Sequence, residues 1–272
     1  MKKIFLLFLI LSSFVFAEEA RIASFNAYRL GDVEKDYKLT AQILSSFDIV
    51  GLVEVIKKEG VEKLVDELNK QSSEKWSYHI SPYGVGSKKH KEYFAYIYKK
   101  NRVRFLKSVG FYKNMRSKLL REPYGANFKI GDFDFTFILV HNIYGKNIGQ
   151  RKAENKQMVE VYDYFQDMDI FENDILIAGD FNLYALDSSF KNLYNHKDEI
   201  TYALDTKLKT TVGYNSLANS YDNFFYSQKY TPEFIGIAGT IDFASRNPSF
   251  FRKFVSDHLP VFIVVDTLGD DD

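Results

Sequence analysis

Two histidines of this chain, His141 and His258, stand beside apolar runs, and acidic or amide side chains stand at the edges of others. Phe135-Thr136-Phe137-Ile138-Leu139-Val140 leads directly into His141, and Asp174-Ile175-Leu176-Ile177-Ala178 leads into Gly179-Asp180-Phe181-Asn182. Ser256-Asp257-His258 comes just before Val261-Phe262-Ile263-Val264-Val265, and Asp48-Ile49-Val50-Gly51-Leu52-Val53 ends on Glu54. An imidazole titrates near neutral pH, so His141 and His258 can each take or give a proton. Glu54, helped by Asn26 and Asp257, offers oxygen ligands to a hard divalent cation, Mg²⁺ first and Mn²⁺ or Ca²⁺ as alternatives. That inventory suits hydrolysis of a phosphodiester, which needs an activated water, a group to stabilise or protonate the leaving oxygen, and positive charge against the phosphoryl oxygens.

Such groups must be held accurately, and the apolar runs read as buried strands that pin the loop ends. Between them lie helical patterns: Leu39, Ile43, Leu44 and Phe47 share one face, as do Val61, Leu64, Val65 and Leu68. Met158, Val161, Tyr162, Phe165 and Met168 form a third stripe. Tyr93–Tyr98 and Val103–Tyr112 read as a hairpin joined at Lys99-Lys100-Asn101. The sum is an α/β chain, two β-sheets in a sandwich flanked by helices, and its length and apolar content fit one domain over 18–268. Gly269–Asp272 is expected to be a disordered acidic tail.

Lys2-Lys3, the apolar stretch Ile4–Phe16 and Ala17 read as a signal peptide cleaved after Ala17. The apolar part is short for a membrane span. Export to the periplasm or medium is therefore expected, with no membrane anchor left after cleavage. The chain has no cysteine, so neither a disulfide nor a lipidated Cys is available. Basic and acidic residues balance at 36 each, so any attraction to phosphate must be local.

The order of these short strings resembles the endonuclease/exonuclease/phosphatase superfamily, and most closely its deoxyribonuclease I-like branch. Asn26 closing Ile22-Ala23-Ser24-Phe25, Glu54, Arg121-Glu122-Pro123, Asp222 in Ser220-Tyr221-Asp222-Asn223 and the closing Ser-Asp-His carry the likeness from about Arg21 to Val265. The resemblance implies a four-layer sandwich. It implies that Asp222 orients His258 and Glu92 orients His141, with His258 as general base to the attacking water or positioning it and His141 stabilising or protonating the departing oxygen. The sequence leaves open which histidine is acid and which is base. Asp180 and Asn182 would hold phosphate, water and imidazole in line, and Arg121 would face a phosphate oxygen beside the scissile one. Asp242 is the rival to Asp222, but only 15 residues separate it from Asp257, too few for a strand, a loop and a return strand.

The function implied is an exported, metal-dependent, sequence-indifferent deoxyribonuclease acting as a monomer on DNA without an obligate protein partner. Lys88, Lys89 and Lys91, with Lys113, Arg116 and Lys118, are candidate contacts to its backbone. Where the family carries Gln-Glu-Val-Arg, this chain has Val53-Glu54-Val55-Ile56, which removes a minor-groove contact. Sphingomyelinases share the motifs, while phosphoinositide phosphatases place an Arg where Asn223 stands. A cytotoxic nuclease subunit and a catalytically inactive binding module are the remaining alternatives. His79, His90 and His196 stand outside this constellation and read as surface residues, with His90 at the place of a groove-reading tyrosine.

Overall fold

The computed structural model describes residues 18–169 and 171–270; the leader expected at Met1–Ala17 and the last two residues of the expected tail lie outside them. The strands are β1 (Glu19–Leu30), β2 (Ile49–Val55), β3 (Trp76–Ile80), β4 (Val85–Gly86), β5 (Lys91–Lys99), β6 (Val103–Phe111), β7 (Tyr124–Ile130), β8 (Phe133–His141), β9 (Ile175–Asp180), β10 (Ile200–Tyr202), β11 (Asp222–Ser227), β12 (Phe234–Thr240) and β13 (Val261–Asp266). The helices are α1 (Tyr37–Leu44), α2 (Lys58–Gln71), α3 (Ile148–Asn155), α4 (Met158–Gln166), α5 (Lys191–Tyr194) and α6 (Pro248–Phe254). One sheet runs β12-β13-β1-β2-β5-β3, with β4 on β5, and the other runs β10-β11-β9-β8-β7-β6.

Alternation along the strands builds the layers, because successive side chains point to opposite faces. Ile22, Ile49, Val53, Phe94 and Tyr96 of the first sheet meet Phe135, Phe137, Leu139, Leu176, Ala178 and Phe224 of the second in one inner core. Their neighbours Val50, Leu52, Ala95 and Ile97 point outward under Leu44, Val61, Leu64 and Leu68 of α1 and α2. On the far side Ile138, Val140, Ile175 and Ile177 lie under Met158, Val161, Tyr162 and Phe165 of α4. The result is the helix, sheet, sheet, helix sandwich expected from the sequence. Gly51 faces inward where the sheets approach closely, since a Cβ there would lie 2.3 Å from a Leu139 methyl. The Tyr96 hydroxyl, fully buried, contacts the carbonyls of Tyr124 and Phe137 at 2.8 Å each and so fastens one sheet to the other.

Two expectations fail here. β5 and β6 are not a hairpin: β5 pairs with β2 and β3, β6 pairs with β7, and Lys99-Lys100-Asn101 carries the chain from one sheet to the other. Backbone bonds from Lys99 N to Asp48 O (2.9 Å) and Lys100 N to Lys75 O (2.6 Å) hold that crossing in place. Met168 lies beyond α4 and is exposed, so the third stripe ends at Phe165.

Candidate active site

Strand register does most of the positioning. In the second sheet His141 is the parallel partner of Asp180, and Asp180 is the antiparallel partner of Asp222, so β8, β9 and β11 present the three side by side. Gly179 permits this closeness, with φ +146° and a Cβ position only 1.8 Å from Val140 O. In the first sheet the pairing of β1 with β2 shifts just after Asn26, and Glu54 takes the left-handed backbone at φ 58°. A glutamate held there stores about 1–3 kcal/mol of strain, the kind of cost that gathers at functional sites. Asn182 shares that conformation at φ 52°.

Hydrogen bonds lock the side chains. Asn26 Nδ2 donates to Glu54 Oε1 (3.1 Å) and Asp180 Oδ2 (3.2 Å), while its Oδ1 accepts from Tyr28 N (3.0 Å). The Tyr28 contact fixes the amide's orientation and makes Asn26 a donor to Glu54. Asn182 N donates to Asp180 Oδ1 (2.8 Å), and Asn182 Nδ2 to Asn142 O (2.8 Å). Ser256 Oγ donates to Asn26 O (2.6 Å) and accepts from His258 N (3.0 Å), tying the closing Ser-Asp-His to β1.

Each imidazole has its carboxylate. His141 Nδ1 lies 2.6 Å from Glu92, and His258 Nδ1 lies 2.8 Å from Asp222. The Nε2 atoms then converge, at 3.7 and 3.6 Å, on one oxygen of Asp180. Burial pushes His258 down, but Asp222 and Asp180 outweigh it and hold its pKa well above the ordinary value. Burial and Arg121 likewise oppose Glu92 and Glu54 at His141, and the carboxylates win, raising it. Burial pushes Asp180 up to about 6, with Asp222 adding to it and both histidines opposing. Glu54 is lowered: burial would raise it, yet His141, Asn26, His258 and Arg121 together favour its charged form.

Glu54, His141, Asp180, Asn182, Asp257 and His258 line one cleft of about 330 Å³. Asp222 and Glu92 stand behind the histidines and Asn26 behind Glu54. Asp257 is raised above its ordinary pKa by burial, and its Oδ1 is buried with no hydrogen-bond partner, although Arg252 lies 3.3 Å from Oδ2. An orphaned carboxylate oxygen beside a strained glutamate fits a divalent cation with oxygen ligands. Asp180, Asp222 and His258 also cluster within ligand distance of one another. The His258–Asp222 bond already occupies that trio, so Glu54 and Asp257 are the better ligand pair.

Arg121 does not line the cleft. Its Nε is ion-paired with Glu92 at 2.7 Å and its Nη1 donates to His141 O at 3.3 Å, so it braces the histidine's partner. Asp242 binds the backbone of Ala244 and Ser245 in its own turn, away from His258. His90 is exposed, whereas His79 and His196 are half-buried and each has partners. His79 stacks 4.4 Å from Phe105 and sits 2.7 Å from the Tyr124 hydroxyl, while His196 pairs with Asp163 (2.9 Å) and Asp198 (3.4 Å).

Other supports carry no recognisable sequence signal. Thr210 Oγ1 donates to Asp222 Oδ2 at 2.6 Å. Glu154 accepts from Leu120 N (2.7 Å) and Ile143 N (2.6 Å), joining the loop before Arg121 to the loop after His141. Asn155 accepts from Asn142 Nδ2 and donates to Phe181 O, at 2.9 Å each.

No family model matches the chain. It is 28% identical over 282 residues to a deoxyribonuclease of Thioalkalivibrio sp. (strain K90mix), spanning 97% of this chain and 76% of that one. It is 27% identical over 268 residues to deoxyribonuclease-1-like 1 of Sus scrofa, spanning 90% and 80%. Among solved structures it superposes on D. rerio TDP2 complexed with single strand DNA product, with TM-score 0.65, 17% identity and 92% and 100% of the two chains covered. An endonuclease/exonuclease/phosphatase from Bacteroides vulgatus gives 0.64, 15%, 91% and 98%. The fold is therefore shared, and these two relatives by sequence bear deoxyribonuclease names.

Proposed function

Because the chain belongs to the endonuclease/exonuclease/phosphatase superfamily on its deoxyribonuclease I-like branch, we propose that it is a divalent-metal-dependent endodeoxyribonuclease with little sequence preference. The observation that carries this is the convergence of two carboxylate-backed histidines on one Asp180 oxygen. In its neutral form, with the Nδ1 proton held by Asp222, His258 takes a proton from water at Nε2 as that water's oxygen bonds to phosphorus. The bond from phosphorus to the leaving oxygen breaks, and His141 delivers a proton there from its own Nε2. Asp180 and Asn182 keep the imidazoles and the phosphate in line. Glu54 and Asp257 would hold the cation, Mg²⁺ in this reading, which when bound supplies positive charge against the phosphoryl oxygens.

Arg116 and Lys118 share a groove of about 630 Å³ with Lys152 and Lys156, a surface suited to a DNA backbone. The leader-like Met1–Ala17 supports export to the periplasm or medium, and the enzyme is taken to act as a monomer. The experiment is plasmid nicking by the mature chain with Mg²⁺, with and without EDTA, beside a parallel assay on sphingomyelin. Nicking that EDTA stops, and that His141→Ala abolishes without unfolding the protein, is expected. Cleavage of the lipid alone would replace the substrate, and cleavage of DNA by His141→Ala at the parent rate would overturn the mechanism.

A further inference from the structure

The lip of the cleft carries a feature that the hydrolytic chemistry does not use. Tyr144, three residues beyond His141, lines the cleft and is 60% exposed although one face of its ring is covered. The cover is the Arg151 guanidinium, whose central carbon lies 3.6 Å from the ring centroid. Arg151 is itself fixed: Nε donates to Tyr144 O (2.6 Å) and Nη1 to the hydroxyl of Tyr221 (3.2 Å), the residue before Asp222. No ion pair with a carboxylate holds Arg151 among the described residues. A large aromatic ring is thus kept in place at the mouth of the site, with one face free and an uncompensated cation behind it.

An exposed tyrosine normally samples several rotamers, and fixing one costs entropy. Here that ordering is already done, by helix α3 through Arg151 and by the clamp of Glu154 on Ile143 N. Pre-ordering of a ring is useful only if something flat is placed on it. A nucleobase is flat whatever its sequence, so stacking binds without reading.

Resting on the proposed deoxyribonuclease reading, we propose that Tyr144, backed by Arg151, is a stacking seat for the nucleobase beside the scissile phosphate. A base can reach it only after leaving its own stack. The enzyme therefore prefers single strands and frayed ends to intact duplex, and Tyr144 sets that preference.

The test measures cleavage of a short fluorescein-labelled single strand, of the same strand annealed to its complement, and of the same strand with baseless tetrahydrofuran residues around the cut site. The parent should favour the plain single strand. Tyr144→Ala should raise KM on it about tenfold, leave the baseless strand unchanged, and so erase the difference between the two. Tyr144→Phe should behave as the parent, because the ring and not the hydroxyl does the stacking. Equal KM for parent and Tyr144→Ala on the plain strand would overturn the seat while leaving the nuclease reading intact, as would an equal loss on the baseless strand. No cleavage of any DNA by the parent would remove both. Thermal unfolding of Tyr144→Ala at the parent temperature excludes misfolding as the cause.

Discussion

His258 Nδ1 lies 2.8 Å from Asp222 Oδ2, and the same oxygen accepts the Thr210 hydroxyl at 2.6 Å. The carboxylate therefore fixes both the ring's orientation and which nitrogen carries the proton. In Asp222→Asn the amide can donate to Nδ1 and leave the proton on Nε2, where it blocks uptake from water. We expect kcat to fall by about 10²–10⁴ with the fold retained. Adding His258→Ala should cost little more, because the two residues act as one unit. Single-turnover rates of both variants check this; fully additive losses would separate the pair.

Glu54 stands at φ 58° where the pairing of β2 with β1 and β5 shifts register, a conformation an asparagine adopts more readily. Glu54→Asn should therefore unfold at higher denaturant, by about 1 kcal/mol without metal, while losing nearly all cleavage. Urea titration in EDTA reads the first effect and plasmid nicking the second. A less stable variant would show that the strain is absent.

Gly179 brings β9 against β8. An alanine methyl would collide with Val140 O and sit at φ +146°. Gly179→Ala should cost on the order of 3 kcal/mol and displace Asp180 from His141, lowering activity even well below the melting temperature. A calorimetric melt beside a low-temperature rate separates the two losses.

His79 predicts a dependence of stability on pH. Burial lowers its folded pKa below the ordinary 6.5. Its neutral form is thus the one the fold prefers, so its contribution is complete above about pH 6.5 and is lost as pH falls through the folded pKa. His79→Phe keeps the stack on Phe105 and should flatten the fall in urea midpoint between neutral and mildly acid pH. An unchanged slope would assign the pH dependence elsewhere.

Lys118 and Lys156 share one groove with Arg116 and Lys152. Replacing both with alanine should reduce the slope of log kcat/KM against log salt by as much as about 2, with kcat barely altered. An unchanged slope would place the DNA backbone on another face.

Much of this site is legible in the sequence because it lies at strand ends. An apolar run ending on His141, and another ending on Asp180, identify both residue type and support, and strand pairing does the rest. The fate of Lys99–Asn101 is not legible: three residues serve a hairpin and a crossing between sheets equally, and only partners distant in sequence decide. Arg121 is similar, since a guanidinium near a site suits phosphate until Glu92 is seen 2.7 Å away. Tyr144 and Arg151 stand seven positions apart across a turn, and nothing in their types announces that one lies over the other. The surroundings of His79 were hidden for the same reason, since Phe105 and Tyr124 are remote in the chain, as is Asp163 from His196.

The first described strand, β1, pairs with β13, the last, from Glu19 opposite Asp266 to Ser24 opposite Val261. A ribosome delivers these two in the opposite order of need, for β1 must wait, with one edge unpaired, until nearly the whole chain has been made. Asn26 gains its Ser256 contact, and Asp222 its histidine, only at that moment. Contacts so far apart in sequence make for slow closure. They also make the site depend on its latest piece: a chain cut before Ser256 lacks His258 and leaves Asp222 without the imidazole it orients.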